Sequence, residues 1–236
     1  MKKAVIALSG GMDSITSFYW ALDQGYELKA VSFFYGQNHS KELDMAKWNC
    51  EQMNVEHEII DISFLGKITS NVSSLTSGSD NIPEGMYDAD NMKSTVVPFR
   101  NGIILAVLAA YAEANECQAI ICGVHAGDHA IYPDCRATFI DAMNKAIGFG
   151  TYENIEILTP FLDDDKTDIC YTGLSLNVPY EKTWTCYKGQ EAPCGKCGSC
   201  VERIEAFLGN DSIDPLYSNR QWKDAVDNYN TLKGVK

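Results

Sequence analysis

Short apolar segments alternate with helical patterns along most of the chain. The apolar segments have the length of buried strands, and they cover residues 3–9, 28–34, 57–62, 119–124 and 155–161. The helical patterns between them cover residues 13–24, 39–53, 101–115 and 136–147. Strands that alternate with helices predict an α/β fold, a doubly wound parallel sheet covered on both faces. The helix at 101–115 is nearly all apolar, so we expect it to be buried on several sides.

Length and charge narrow the functional classes. The chain has 236 residues, enough for one substantial core, and we predict a domain at 1–179 with a smaller segment at 180–236 packed on it. The chain has 19 basic and 32 acidic residues, a net charge of −13. This charge disfavours a protein whose main function is to bind nucleic acid. We therefore expect small-molecule partners and no nucleic acid.

The N-terminus and the thiol content indicate a cytoplasmic protein. The chain has no apolar run of 18 residues that would predict a membrane span. Two lysines precede an apolar run as in a signal peptide, but the run is only about five residues long, so we interpret it as a first strand. Five scattered cysteines are typical of reduced thiols: Cys50, Cys117, Cys122, Cys135 and Cys170.

Two segments interrupt the alternation. Residues 66–97 are rich in Ser, Asn, Asp and Gly and show no clear period. Segments of that length inside a compact domain are usually functional lids or disordered, and a plain surface loop is an equally good interpretation. The second interruption, residues 180–203, contains a cluster of cysteines.

The first strand ends in the sequence SGGMDS, residues 9–14. Unpaired amides at a helix start suit a phosphate, glycines let the backbone approach it, and Ser9 and Ser14 add hydroxyl donors. Asp13 could position Mg²⁺. Any strand-to-helix turn can use two glycines, so the loop alone favours nucleotide binding only moderately. The loop lacks the lysine of a γ-phosphate-binding loop and the GxGxxG spacing of a dinucleotide site.

Four cysteines follow the spacing C-x7-C-x2-C-x2-C, with a glycine after the second and the third; they are Cys186, Cys194, Cys197 and Cys200. Four thiolates on tight turns suit a closed tetrahedral Zn²⁺ site with no position for water. An iron–sulfur cluster is the rival interpretation, because C-x2-C-x2-C also occurs there. Four unrelated buried thiols are a poor explanation of this clustering. We predict a structural zinc site.

Motifs in order along almost the whole chain resemble one family. SGGMDS resembles the SGGxDS pyrophosphate loop of the N-type ATP pyrophosphatases. The further motifs are FYGQNH at 34–39, VPFRN at 97–101, GVHAGDHAIYPDCR at 123–136, TP at 159–160 with Lys166 beyond, and TWTCYKG…CGKCGSC at 183–200. Together they resemble the 7-cyano-7-deazaguanine synthase (QueC) family. The resemblance implies a Rossmann-like fold of the adenine nucleotide α-hydrolase (HUP) type.

The resemblance also implies a reaction. Family members convert 7-carboxy-7-deazaguanine and ammonia to the nitrile 7-cyano-7-deazaguanine (preQ0), with Mg-ATP as cosubstrate. The carboxylate is adenylated, ammonia displaces AMP to form an amide, and the amide oxygen is adenylated before AMP leaves. Pyrophosphate departs at each adenylation, which explains the missing lysine: the bond cut is α–β. Members are typically homodimers.

Carried over to this chain, the resemblance implies several groups of site residues. The ATP loop comprises Leu8, Ser9, Gly10, Gly11, Met12, Asp13, Ser14, Ile15, Thr16, Ser17 and Phe18. The catalytic residues are Ser9, Asp13, Ser14, Arg100 and Lys166, the last two facing the α-phosphate or the carboxylate. The substrate-binding residues are Arg100, Asp128, Tyr132, Asp134 and Arg136. His125 and His129 receive no role, and Cys135 is interpreted as a packing residue.

Two departures from the family pattern flank the expected substrate site. Phe99 stands where the family usually has Gly, and Ala137-Thr138 stands where Pro-Glu is common. They leave open a second enzyme, which would stop at the amide or acylate a different amine. A third alternative is a non-catalytic nucleotide-binding module with a zinc knuckle. A tRNA-thiolating enzyme is disfavoured because the chain shows no basic run.

Overall fold

The computed structural model describes residues 2–37, 40–76, 82–85 and 92–234. Within these residues five strands form one sheet: β1 (Lys3–Ala7), β2 (Glu27–Phe34), β3 (Glu56–Asp61), β4 (Ala119–Ile121) and β5 (Glu156–Leu158). The helices are α1 (Met12–Asp23), α2 (Lys41–Met53), α3 (Phe64–Thr69), α4 (Arg100–Ala114), α5 (Ala137–Gly150), α6 (Lys166–Ser175), α7 (Gly198–Gly209) and α8 (Asn219–Lys233).

The sheet confirms the predicted α/β fold. Its strand order is β3-β2-β1-β4-β5, and all four pairings are parallel. The chain runs outward from β1 to β3, then returns to the other side of β1 with β4. The helices that follow β1 and β4 therefore diverge, and a crevice opens beyond the carboxyl ends of these two strands.

The observed strands are shorter than the sequence predicts at their carboxyl ends. β1 ends at Ala7 instead of residue 9, β4 at Ile121 instead of 124, and β5 at Leu158 instead of 161. The apolar residues continue, but ladder pairing stops where the chain turns into the crevice. Leu8 and Cys122 each keep one strand-like backbone hydrogen bond, to Val31 O (2.9 Å) and Leu158 O (3.1 Å).

Helix α4 corrects the expectation of burial on several sides. Its inner side, with Leu105, Leu108 and Ala112, is buried in the core, whereas Ala106 and Ala110 on the outer side are exposed. An apolar helix of this kind carries no polar face, so its composition does not report which side meets solvent.

One stretch is long and apolar enough to cross a membrane. Lys93–Ala114 spans 22 residues with a mean hydropathy of 1.5. Extended backbone at Val96 and left-handed backbone at Phe99 separate its short 3-10 turn from α4. The core helix of a soluble protein has the same composition, and the inner side of α4 packs into such a core.

Among the described residues, four helices lie where the sequence analysis places no element: α3, α6, α7 and α8. Helix α3 overlaps the start of the polar segment 66–97. Residues 77–81 and 86–91 of that segment lie outside the described residues. Helices α7 and α8 belong to the C-terminal segment 180–236, which contains the four clustered cysteines. Their buried side chains, among them Ile204, Phe207 and Trp222, share one hydrophobic core with Ile15 and Phe18 of α1.

A buried arginine on α7 holds parts of the C-terminal segment 180–236 together. Arg203 donates to both carboxylate oxygens of Asp214 (2.6 and 2.8 Å). It also donates to Thr183 Oγ1 (2.7 Å) and Tyr180 O (3.0 Å). Because the guanidinium is satisfied on three sides, it can stay charged inside the protein. The predicted division at residue 180 stays a prediction.

Candidate active site

A cavity of about 270 Å³ lies beyond the carboxyl ends of β1, β2 and β4. It is the place where parallel sheets of this topology bind ligands. Residues predicted from the sequence that line it are Leu8, Ser9, Gly11, Met12, Asp13, Ser14, Arg100, Asp128, Tyr132 and Lys166. Side chains that the sequence analysis did not select also line it, among them Tyr35, Glu42, Trp184, Tyr187 and Glu202.

The loop between β1 and α1 has a backbone that only glycine permits. Gly10 has φ +90°, and a Cβ there would lie 1.9 Å from the carbonyl oxygen of Glu42 at the start of α2. Ser9 Oγ accepts from the Gly11 N–H (3.2 Å), and Ser14 Oγ accepts from the Gly10 N–H (3.2 Å). The two hydroxyls lie 2.9 Å apart. The loop is therefore shaped before any ligand binds.

The predicted ATP loop divides into two parts. Residues 8–14, apart from Gly10, face the cavity at the N-terminus of α1, where free amides suit an anion. Ile15, Thr16, Ser17 and Phe18 are buried behind them. Thr16 Oγ1 lies 2.9 Å from Tyr180 Oη, which supports the loop from below.

Lys166 lies between two carboxylates at the floor of the cavity. Its Nζ is 2.7 Å from Glu202 Oε2 and 3.2 Å from Asp13 Oδ2. Burial alone would lower the pKa of Lys166, but the two carboxylates outweigh it and raise the pKa. Burial would raise the pKa of Asp13, and the Lys166 ammonium holds it below its ordinary value. Both groups are therefore charged.

His125 is buried beside this cluster. Its Nδ1 accepts a hydrogen bond from the Gly127 N–H (3.2 Å), so the ring proton of the neutral imidazole belongs on Nε2. Nε2 lies 3.5 Å from Asp128 Oδ2 and 3.8 Å from Asp13 Oδ2. At these distances Nε2 makes no hydrogen bond among the described residues, so a buried ring nitrogen without a partner lies near two carboxylates. The sequence analysis gave this histidine no role.

Arg100 begins α4 and reaches the other side of the cavity. Its Nη1 donates to Tyr35 Oη (3.3 Å), and the guanidinium lies 5.3 Å from the Tyr35 ring centroid. Asp134 accepts from the Asn101 N–H (2.9 Å), so it holds the first turn of α4 and does not line the cavity. Phe99, just before Arg100, has φ +57°.

The remaining predicted substrate residues differ in position. Tyr132 lines the cavity and its Oη lies 2.9 Å from Thr95 Oγ1. Arg136 is exposed, and its Nε donates to His129 O (2.9 Å) outside the cavity. Burial raises the pKa of the Cys135 thiol, which is protonated and packs against Asn101. Asn38 and His39 of the FYGQNH motif lie outside the described residues.

Glu42 is a cavity residue that the sequence analysis missed. Burial raises the pKa of its carboxyl from 4.5 to about 7. The positive charge of Arg100 opposes this rise, and the Cys186 thiolate adds to it. A signal for it exists in the sequence, because Glu42 falls on the same helical stripe as Ala46 and Cys50. Glu202 follows Cys200 by two residues and has no comparable signal.

The four clustered cysteines converge as predicted. Their Sγ atoms all lie within 4.8 Å of one another, and those of Cys194 and Cys200 are 3.9 Å apart. Four sulfurs at 2.3 Å from one tetrahedral ion would be about 3.8 Å apart. Backbone N–H groups of Lys196 and Cys197 point at Cys194 Sγ (3.4 and 3.3 Å), as expected for a thiolate. These residues fit one metal ion.

Known proteins share this sequence over most of its length. The family described as Queuosine biosynthesis protein QueC matches residues 3–211. The 7-cyano-7-deazaguanine synthase of Marinomonas sp. (strain MWYL1) is 48% identical over 215 residues, covering 91% of this chain and 97% of the relative. That of Pseudoalteromonas atlantica (strain T6c / ATCC BAA-1087) is 50% identical over 216 residues, covering 92% and 98%.

The fold is shared more widely. The solved structure of NMN synthetase from Francisella tularensis has a TM-score of 0.50 to this chain at 16% identity, covering 98% of this chain and 83% of that one. At that identity the likeness concerns the fold alone.

Proposed function

Because the chain belongs to the Queuosine biosynthesis protein QueC family, we propose that it is an ATP-dependent ligase that converts 7-carboxy-7-deazaguanine and ammonia to 7-cyano-7-deazaguanine. The observation that carries the proposal is near-50% identity over more than nine-tenths of this chain to relatives that bear that enzyme's name. The cavity adds the parts that such a reaction needs: a phosphate loop, two cations and a carboxylate for Mg²⁺.

In the first half-reaction a carboxylate oxygen of the substrate attacks the α-phosphorus of ATP. The α–β bond breaks, and the free amide of Met12 at the N-terminus of α1 with the hydroxyls of Ser9 and Ser14 would hold the departing pyrophosphate. Arg100 and Lys166 both line the cavity, and we assign them the neutralisation of the charge that develops at the α-phosphate and the acid. Asp13, at the loop, would hold the magnesium of Mg-ATP.

In the second half, nitrogen replaces oxygen. Ammonia attacks the acyl carbon, AMP leaves with the oxygen, and a proton is lost to give the amide. The amide oxygen then attacks the α-phosphorus of a second ATP, the α–β bond breaks and pyrophosphate departs. Loss of the two N–H protons and departure of AMP with that oxygen leave a carbon–nitrogen triple bond. Both oxygens of the acid depart on AMP, so two ATP are consumed for each nitrile.

We assign recognition of the heterocycle to Asp128 and Tyr132, which both line the cavity. A carboxylate accepts from guanine-like N–H groups, and an aromatic ring stacks on the bicycle. Asp134 supports this side through the start of α4, and Arg136 would reach a ligand only if it left its bond to His129 O.

We assign zinc to the four-cysteine centre as a structural ion. The sulfur separations suit one tetrahedral ion, and all four positions are taken by thiolates, so no site is left for substrate. When bound, the ion would supply coordination energy that holds residues 186–200 together.

We further propose a homodimer in the cytoplasm that works without nucleic acid. The outer side of α4, with Ile103, Val107 and the exposed Ala106 and Ala110, is apolar enough to pack against a second copy. The net charge of −13 opposes contact with nucleic acid.

The test is a product analysis. Wild-type protein incubated with 7-carboxy-7-deazaguanine, ammonium and Mg-ATP should yield the nitrile, two AMP and two pyrophosphate for each acid. An Asp13→Asn variant should produce little AMP. ADP and orthophosphate as products, or unchanged acid with active wild-type protein, would contradict the proposal.

A second enzyme is favoured by one observation, the left-handed Phe99 beside Arg100 where the family usually has Gly. It would adenylate the same acid but end at an amide or on a different amine. The product mass separates the two: nitrile alone eliminates this version, and amide that accumulates in excess ATP establishes it. ATP–pyrophosphate exchange that depends on the acid eliminates a non-catalytic module.

A further inference from the structure

Lys166 is restrained by a carboxylate from the far end of the chain. Glu202 is 12% exposed at its side chain and Lys166 only 8%, and their charged atoms are 2.7 Å apart. The distance to the other carboxylate, Asp13 Oδ2, is 3.2 Å. A buried ammonium needs compensating charge, and Glu202 is the nearer of its two partners.

The helix that carries Glu202 is fixed at both ends. Its N-cap is Cys197, and Cys200 lies in its first turn, so the four-cysteine centre anchors the end where Glu202 lies. At the other end, Asn210 Nδ2 donates to Thr167 O (2.9 Å), in the first turn of α6 directly after Lys166. Helix α7 therefore holds the start of α6 through one ion pair and one hydrogen bond.

We propose that Glu202 is the positioning residue for Lys166 and keeps its ammonium directed at the α-phosphate during adenylation. This inference rests on the proposed function, which gives Lys166 its task. Glu202 acts through Lys166: with Glu202 present the ammonium is held midway between α1 and α7, and without it the ammonium would move onto Asp13. That movement would remove a cation from the reacting phosphate and occupy the carboxylate that is needed for Mg²⁺.

The test compares Glu202→Gln with Glu205→Gln. Glu205 lies on the same helix, is 43% exposed and pairs with Lys233 at the surface. We expect Glu202→Gln to lower kcat for acid-dependent ATP–pyrophosphate exchange roughly 10- to 100-fold, with KM for ATP changed far less. Glu205→Gln should match wild type in both. Glu202→Asp keeps the charge but falls short by one methylene, and it should lose kcat as well.

A double variant separates positioning from a general structural role. If Glu202 acts through Lys166, then Lys166→Met with Glu202→Gln should be no slower than Lys166→Met alone. Melting temperature and bound zinc, measured on every variant, identify a folding defect, and Glu202→Asp provides the comparison if Glu202→Gln fails to fold.

Each outcome decides the inference. Wild-type kcat in Glu202→Gln, or losses that multiply in the double variant, would overturn it while active wild-type protein leaves the proposed function intact. Wild-type protein that gives no AMP would instead overturn the proposed function.

Discussion

The two sides of the cavity are built in different ways. The phosphate loop at residues 8–14 is shaped by backbone: a left-handed glycine, free amides and two serines within six positions. The other side, which meets the loop where Lys166 Nζ lies 3.2 Å from Asp13 Oδ2, is shaped by side chains from distant parts of the chain, with His125, Lys166 and Glu202 brought together by α6, α7 and the cysteine centre. A short stretch of sequence is enough to specify the backbone-built loop. The side-chain-built region exists only after the whole chain has folded.

The largest expected effect falls on the side-chain-built region. Cys197→Ser removes one of the four thiolates, at the N-terminus of α7, so zinc binding should be lost with most of the stability of residues 180–234. Structural zinc in small peptides contributes on the order of 10 kcal/mol, which is comparable to the whole net stability of a typical domain. Zinc content and thermal unfolding measure the effect.

Cys117→Ser is the matched control for Cys197→Ser. Cys117 is equally buried and lies outside the cysteine centre. It should keep full zinc content and lose only about 1–2 kcal/mol for a buried hydroxyl. A Cys197→Ser protein that retains one zinc and a wild-type melting temperature would show that three thiolates suffice. The complete four-cysteine centre would then not be needed to anchor the N-terminal end of α7.

The next largest effect falls on the backbone-built region. Gly10→Ala places a methyl group 1.9 Å from Glu42 O at φ +90°, so either the loop or α2 must shift. We expect a loss of at least about 3 kcal/mol and no measurable ATP binding. Denaturant unfolding and ATP titration measure these quantities.

Gly25→Ala is the matched control for Gly10→Ala. Gly25 also has a positive φ, +78°, but nothing lies within 4 Å of its added methyl group. It should lose only the conformational cost of about 1–2 kcal/mol and bind ATP normally. Equal losses at the two glycines would mean that the packing of α2 on the loop carries no energy.

A smaller effect, on the pH dependence of the free energy of unfolding, is expected at the cavity residue Glu42. Glu42 is faced by Arg100, Tyr35 and Cys186, and burial raises the pKa of its carboxyl from 4.5 to about 7. The folded protein thus holds a proton there that the unfolded chain releases, so wild-type stability falls as pH rises from about 4.5 through 7. The loss is at most about 3 kcal/mol.

Glu42→Gln should remove that pH dependence. The variant should equal wild type near pH 4.5 and become the more stable of the two above pH 7, because no carboxylate then needs to be buried. Chemical denaturation at pH 5 and pH 8 measures the difference, with the exposed Asp44→Asn as control. A gap that is the same at both pH values would contradict the raised pKa.

The sequence predicts the two regions unequally, for the physical reason just given. Strand–helix alternation predicted the parallel sheet, and the spacing of glycines and cysteines predicted the loop and the thiolate cluster, because each signal is local. The positions of Lys166 and Arg100 came from family resemblance. Glu202 was missed because its partner lies 36 residues earlier in the chain, and helices α6 to α8 were missed because their apolar stripes are short.

The smallest expected effect concerns Phe99, at the start of α4. Its φ of +57° costs an aromatic residue about 1–2 kcal/mol, and its ring packs edge-on against Phe139 with centroids 5.6 Å apart. Phe99→Leu keeps the strained backbone and loses the ring pair, so it should lose about 1 kcal/mol. Phe99→Gly loses the same contact but relieves the strain.

We therefore expect Phe99→Gly to be more stable than Phe99→Leu by about 1 kcal/mol and close to wild type, as measured by urea unfolding. The order of the two variants carries the information, since both remove the same ring. If Phe99→Leu were the more stable, the left-handed turn would store no strain, and the start of α4 would be fixed by Asp134 and its bond to Asn101. The backbone contribution to the cavity would then be confined to the phosphate loop.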